Sequence, residues 1–221
     1  GIFNNGGTLT IDGTTSLVTI SNNSANGTAG SGGGIFSTAG IVSITSANLT
    51  FNDANRAGGG LEAIDGTISL TNVNLINNDA GSTAPAPGNG GGLHVTGAAD
   101  VMISGGSVFG NVASREGGGL WNSTGTMTIS NGTLIQGNTA SGDAADDGGG
   151  GIFNNGGTVV VDGSLAAVVI TSNSADGILG GGGGIFNNAG IVRVQDSEIT
   201  ANEAERAGGG IEDRNSVGTA I

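Results

Sequence analysis

A short pattern recurs along the whole chain, and that repeat limits the fold more than any other feature of the sequence. A run of glycines followed by an aliphatic residue is found at Ile35, Leu61, Leu93, Leu120, Ile152, Ile185 and Ile211, and Ile2 opens the chain in the same register. The intervals are 33, 26, 32, 27, 32, 33 and 26 residues. Periods of this length mark solenoids and related repeat architectures. A second marker, Asn-x-Ala, falls once per repeat at Asn23, Asn52, Asn78, Asn111, Asn138, Asn173 and Asn202. An aliphatic residue stands three places before each of them: Ile20, Leu49, Leu75, Val108, Ile135, Ile170 and Ile199. Between the two markers lies an alternating segment with apolar pairs Leu9/Ile11, Val42/Ile44, Ile68/Leu70, Val101/Ile103, Met127/Ile129, Val159/Val161 and Val192/Val194. The residues between and beside them are mostly polar, such as Thr8, Thr10, Ser43, Ser69, Thr126 and Thr128. Alternation with period two places one face inward and the other outward.

Each repeat therefore predicts three short strands: one after the Gly run, one alternating, and one ending at the Asn. No repeat carries a helical period. One rung cannot bury its own inward face, but stacked rungs, about 4.8 Å apart, bury a continuous core and pair every strand in parallel. The expected fold is all-β, a right-handed single-stranded parallel β-helix of seven rungs plus a partial rung, roughly 35 Å long. We number the rungs 1 to 8 from Ile2 to Ile211. A longer period overlies the first: residues 1–71 align without gaps to 151–221, with 35 of 71 positions identical. The 221 residues then read as a single domain, with 1–150 one five-rung unit and 151–221 the start of a second. Because the chain opens inside a repeat with no secretory leader, we read it as a mature fragment or a segment of a longer protein.

Gly occurs 48 times without a Gly-X-Y period, which excludes collagen. The net charge is −13, with five Arg and no Lys, so nucleic acid and anionic lipid are disfavoured partners. With no Cys there is no disulfide and no thiolate metal site. No apolar stretch is long enough for a membrane helix, so no membrane insertion by this segment is expected. The Gly runs are not phosphate cradles, since a P-loop needs a following Lys and a helix.

Gly-Gly-Gly-Ile/Leu paired with a downstream aliphatic-x-x-Asn resembles the GGA[I/L/V] and FxxN repeats of chlamydial polymorphic outer membrane proteins. Related repeats occur in large bacterial surface proteins of the pectate-lyase-like β-helix superfamily. The resemblance covers essentially the whole chain. It departs in the Gly that replaces Ala and in the aliphatic residue that replaces Phe. It implies a secreted or surface-displayed β-helix, often adhesive.

Among residues able to carry chemistry, the Asn column reads as a structural ladder, because a catalytic Asn would not recur in every rung. The column that follows the Gly-run aliphatic is Phe3, Phe36, Glu62, His94, Trp121, Phe153, Phe186 and Glu212. If the aliphatic residues face inward, this column faces outward, where its aromatics either pack beneath loops or stack on sugar rings. Packing is the favoured reading. His94 and Trp121, the one His and the one Trp, sit in adjacent rungs and are the expected ligand-binding pair. Glu62 with Asp65, and Glu212 with Asp213, are the carboxylate pairs to weigh for lyase or glycosidase chemistry. Asp143, Asp146 and Asp147 share one loop, where Ca²⁺ is weighed against a solvated acidic loop, and the latter is favoured. Arg56, Arg115 and Arg206 precede Gly runs and are expected to form surface ion pairs with Glu62, Glu116 and Glu212. The Thr-x-Thr pairs Thr8/Thr10 and Thr126/Thr128 do not extend into a flat Thr array, because Ile41, Asp100, Met102, Ile191 and Arg193 interrupt the outward columns.

Strict repetition without a catalytic constellation points to a non-enzymatic extracellular or cell-surface rod, structural or adhesive, with no cofactor. Its expected partners are further copies stacked end to end through open rung edges, or a surface glycan or protein. The alternative is a carbohydrate-active or carbohydrate-binding β-helix.

Overall fold

The structure, a computed structural model, describes residues 1–81, 88–214 and 218–221. Among them there is no helix; every named element is a strand, and all strand pairs are parallel. The chain coils as a right-handed parallel β-helix with three sheets running along its axis.

The first sheet has eight strands, each starting at the aliphatic residue of a Gly run, from Ile2–Asn4 to Ile211–Arg214, hydrogen-bonded in rung order. Its register puts Ile2, Ile35, Leu61, Leu93, Leu120, Ile152, Ile185 and Ile211 in one column. Rung length varies without any slip of this column, so loops absorb the difference.

The second sheet holds the alternating strands, and here the strand plan differs from expectation. In rungs 2 to 4 the alternating strand runs on into the segment ending near the Asn, giving Ile41–Thr50, Thr67–Ile76 and Asp100–Phe109. A left-handed residue bends each long strand midway: Ser46 (φ 52°), Asn72 (φ 51°) and the pair Gly105/Gly106 (φ 68° and 75°). The third sheet is built instead from two-residue strands that follow the Asn, such as Asp53–Ala54, Asp79–Ala80 and Val112–Ala113. The Ala of each Asn-x-Ala is the inward residue there, and Ala54, Ala80, Ala113, Ala140 and Ala175 are fully buried.

The two sequence markers prove to be parts of one corner. From Gly32 onward the Gly three places before each Gly-run aliphatic has a left-handed φ, for example 64° at Gly90, which a side chain would strain. A Cβ on the second, Gly91, would lie 2.3 Å from the Val112 carbonyl oxygen in the next rung's third sheet. A Cβ on the third, Gly92, would lie 2.7 Å from the Gly119 oxygen and 3.2 Å from the Asn111 amide. The Gly run is therefore seated on the Asn-x-Ala turn of the rung above, and a third-position Ala would crowd that seat. The central core is aliphatic, contributed by the first-sheet column, the alternating pairs and the residues three before each Asn.

Candidate functional site

The seven asparagines stack as a ladder. Both the backbone N–H and the Nδ2 of Asn78 donate to Asn111 Oδ1 at 2.9 Å, and Asn111 does the same to Asn138 at 2.9 Å. The pattern runs from Asn23 through Asn52 to Asn173 and Asn202. From Asn52 onward each Nδ2 also donates to the carbonyl three residues before the preceding Asn, as from Asn111 to Leu75 at 2.8 Å. The amide groups thus satisfy turn carbonyls and amides that the corner would otherwise bury unpaired.

The column after the Gly-run aliphatic points away from the aliphatic core, yet from Glu62 to Phe186 it is buried. Trp121, Phe153 and Phe186 form a second buried cluster with nearly parallel rings, centroids 6.0 and 5.1 Å apart. His94 stacks on Trp121 at 4.4 Å. His94 is 5 % and Trp121 6 % exposed. They come together as the sequence predicts, but as part of a covered stack rather than as an exposed face. Phe3, at the start of the column, stacks on Phe36 and is the exposed member.

Carboxylates complete this layer. Glu62, fully buried, brings Oε2 to 2.7 Å from His94 Nδ1, accepts a hydrogen bond from Thr96 Oγ1, and lies 3.9 Å from Arg56 Nη2. Glu116, 8 % exposed, accepts from Trp121 Nε1 at 2.9 Å and Asn89 Nδ2 at 3.1 Å, with Arg115 Nε 3.6 Å away. Arg115 Nε also donates to Asp147 Oδ1 at 2.8 Å. Burial raises the Glu116 pKa to about 7 and the nearby Asp147 adds to the rise, while the Trp121 hydrogen bond and the Arg115 charge oppose it. The three expected Arg–Glu pairs form, with Arg206 and Glu212 at 2.6 Å. Two of them are not the surface pairs expected: Glu62 and Glu116 are enclosed by the aromatic layer, so removing a partner would strand a buried charge.

The other acids are dispersed. Asp65 Oδ1 accepts from the Ala98 amide at 3.0 Å, away from the Glu62–His94 contact. Asp143 Oδ1 accepts from the Ile178 amide and Asp147 Oδ2 from the Ala144 amide, both at 2.9 Å, and Asp146 is exposed. Among the described residues no three His, Cys, Asp or Glu side chains converge in a way that could hold a metal ion. Asp213 ends a second polar ladder that sequence reasoning missed: Asn122 donates to Asn154, Asn154 to Asn187, and Asn187 to Asp213, at 2.9, 2.8 and 2.9 Å. Its signal was the residue two after the Gly-run aliphatic, which is Asn or Asp only from rung 5 onward apart from Asn4. Asn122 Oδ1, where the run begins beside Val95, is buried without a partner.

A carboxyl group that titrates near neutrality is chemically suited to proton transfer. Here, however, the buried carboxylates of Glu62, Glu116 and Asp147 are all engaged by internal partners. A cavity of about 240 Å³ is lined by Ser172, Asn173, Ser174, Ala201 and Glu203 and includes none of the acid–aromatic layer. No protein-family model, curated protein or solved structure matches this chain.

Proposed function

We propose that this chain is a non-enzymatic structural or adhesive β-solenoid, a stiff rod from a secreted or cell-surface protein of the polymorphic outer membrane repeat type. The observation that carries this reading is the fate of its reactive side chains. Glu62, His94, Trp121 and Glu116 bond to one another inside a covered layer, which stiffens the rod and leaves its loops as the accessible surface. A surface glycan or protein is the partner class for those loops, and end-to-end stacking of rungs is a further mode of association. Negative-stain micrographs over a concentration series distinguish filaments from short single rods.

A second reading is a carbohydrate-active or carbohydrate-binding β-helix. It is favoured by one observation: Arg56, Glu62, His94, Arg115, Glu116 and Asp147 gather in one corner of neighbouring rungs. The test is to incubate the purified chain with acidic and neutral polysaccharides and assay new reducing ends and unsaturated sugars. The rod reading expects no product. Product formation that disappears in Glu62→Gln or Glu116→Gln would replace it with the enzymatic one.

A further inference from the structure

The 150-residue repeat supplies an internal control for surface residues. The turns at 27–30 and 177–180 occupy equivalent positions, and each closes with a hydrogen bond of 2.8 Å, Gly30 N to Gly27 O and Gly180 N to Gly177 O. Their tips differ. The first is Thr28-Ala29; the second is Ile178-Leu179, with Ile178 76 % and Leu179 44 % exposed. Since Thr and Ala close the same turn, the fold has no need of the two large apolar side chains, and their exposure costs hydration free energy.

The second tip is also held more firmly than a surface turn requires. Ile178 N donates to Asp143 Oδ1 at 2.9 Å in the preceding loop, and the Leu179 carbonyl accepts from Arg206 Nε at 2.8 Å in the following one. Arg206 is anchored in turn by Ala145 O at 2.9 Å and by both oxygens of Glu212. Exposed carboxylates lie along the same stack of loops at Asp143, Asp146, Asp176 and Glu205; against them stand Arg206, matched by Glu212, and Arg214, which also donates to Ala145 O, so acid outweighs base there. A rigid apolar tip loses little ordering entropy on binding, and an acidic surround selects a basic counterpart and hastens encounter.

We propose that the Ile178–Leu179 tip is a docking site for a protein segment that presents apolar residues flanked by Lys or Arg. It rests on the adhesive reading above and names a partner class for it. The probe is a labelled synthetic Leu/Lys peptide, titrated against the full chain by fluorescence anisotropy. Controls are the same peptide with Glu for Lys and with Ser for Leu, together with zwitterionic vesicles. The key variant, I178T/L179A, copies the tip that the first repeat already folds, so an unchanged circular dichroism spectrum is expected. The Leu/Lys peptide should bind at least tenfold more tightly than either control peptide, weaken as salt is raised, and lose at least tenfold in the variant. Equal binding by variant and parent, no peptide binding, or binding to vesicles alone would overturn the proposal. If that happens while micrographs still show intact rods, the site fails and the rod reading stands.

Discussion

Glu116 gives the chain a pH dependence that can be worked through. Its carboxyl is held at about 7, from an ordinary value of 4.5, chiefly by burial. The folded state therefore holds this proton more tightly than the unfolded chain does. Stability from this group is fully present below about 4.5, falls as pH rises through 7, and then levels off. A shift of this size corresponds to about 3 kcal/mol across the window. Glu116→Gln keeps an oxygen for the Trp121 Nε1–H and removes the charge. The stability of the variant relative to the parent should then rise by about 3 kcal/mol between pH 4.5 and 8, or by roughly 2–4 °C in Tm per kcal/mol for a chain of this size. Urea unfolding followed by the fluorescence of Trp121, the one Trp, reads the change at its source. Asp79, raised by burial and then by Asp53, adds a slope of the same sign, whereas Asp12 and Asp162 are lowered, mainly by hydrogen bonds from Thr14 and Ser164. These are common to both proteins and cancel in the difference. Parallel stability curves for parent and variant from pH 4.5 to 8 would refute the reasoning.

Two other perturbations probe the layers. Asn111→Ala removes the acceptor for Asn78 N and Nδ2 and the donor to Leu75 O, leaving several buried groups unpaired. The expected cost is about 3–5 kcal/mol in urea unfolding, well beyond that of Asn48→Ala on the half-exposed face. Phe153→Ala takes the middle ring from the aromatic stack and should cost about 3–5 kcal/mol. It should also open Trp121 to acrylamide quenching, and a Trp121 as protected as in the parent would show that the ring stack does not cover it.

The solenoid was legible because its signals are columnar. Fourteen apolar residues in the alternating pairs, and one Asn per rung, leave no other stacking that buries them together. The third sheet was not legible, because two residues carry no period, so Asp53–Ala54 and its counterparts are visible only as backbone pairs. The column from Phe3 to Glu212 was legible as a column and packing was its favoured reading, but what covers it was not. Its burial depends on the corner beside it; the absent Cβ of Gly90, for example, would sit 2.6 Å from His94 Cβ. The Glu62–His94 contact spans 32 residues and the Arg115–Asp147 contact another 32, so each loop length had to be known before the partners could be. Glu116, whose pKa is raised to about 7, appeared in the sequence only as a partner for Arg115, and nothing local marks it as buried.

The direction of the Asn ladder has a consequence for the rod as an electrical object. Within the ladder each Asn donates to the Asn of the next rung, from Asn23 toward Asn202, and none donates to the Asn before it; the backward bonds go to main-chain carbonyls. The shorter run from Asn122 points the same way and terminates on a carboxylate, Asp213. Backbone bonds between rungs run in both senses, as Ile2 N to Gly34 O and Thr38 N to Asn4 O show, so their dipoles largely offset one another. The side-chain dipoles add, and each polarises its neighbour. The side-chain column therefore has a direction, and two such rods meeting at their ends would present it in one continuous sense only when placed head to tail.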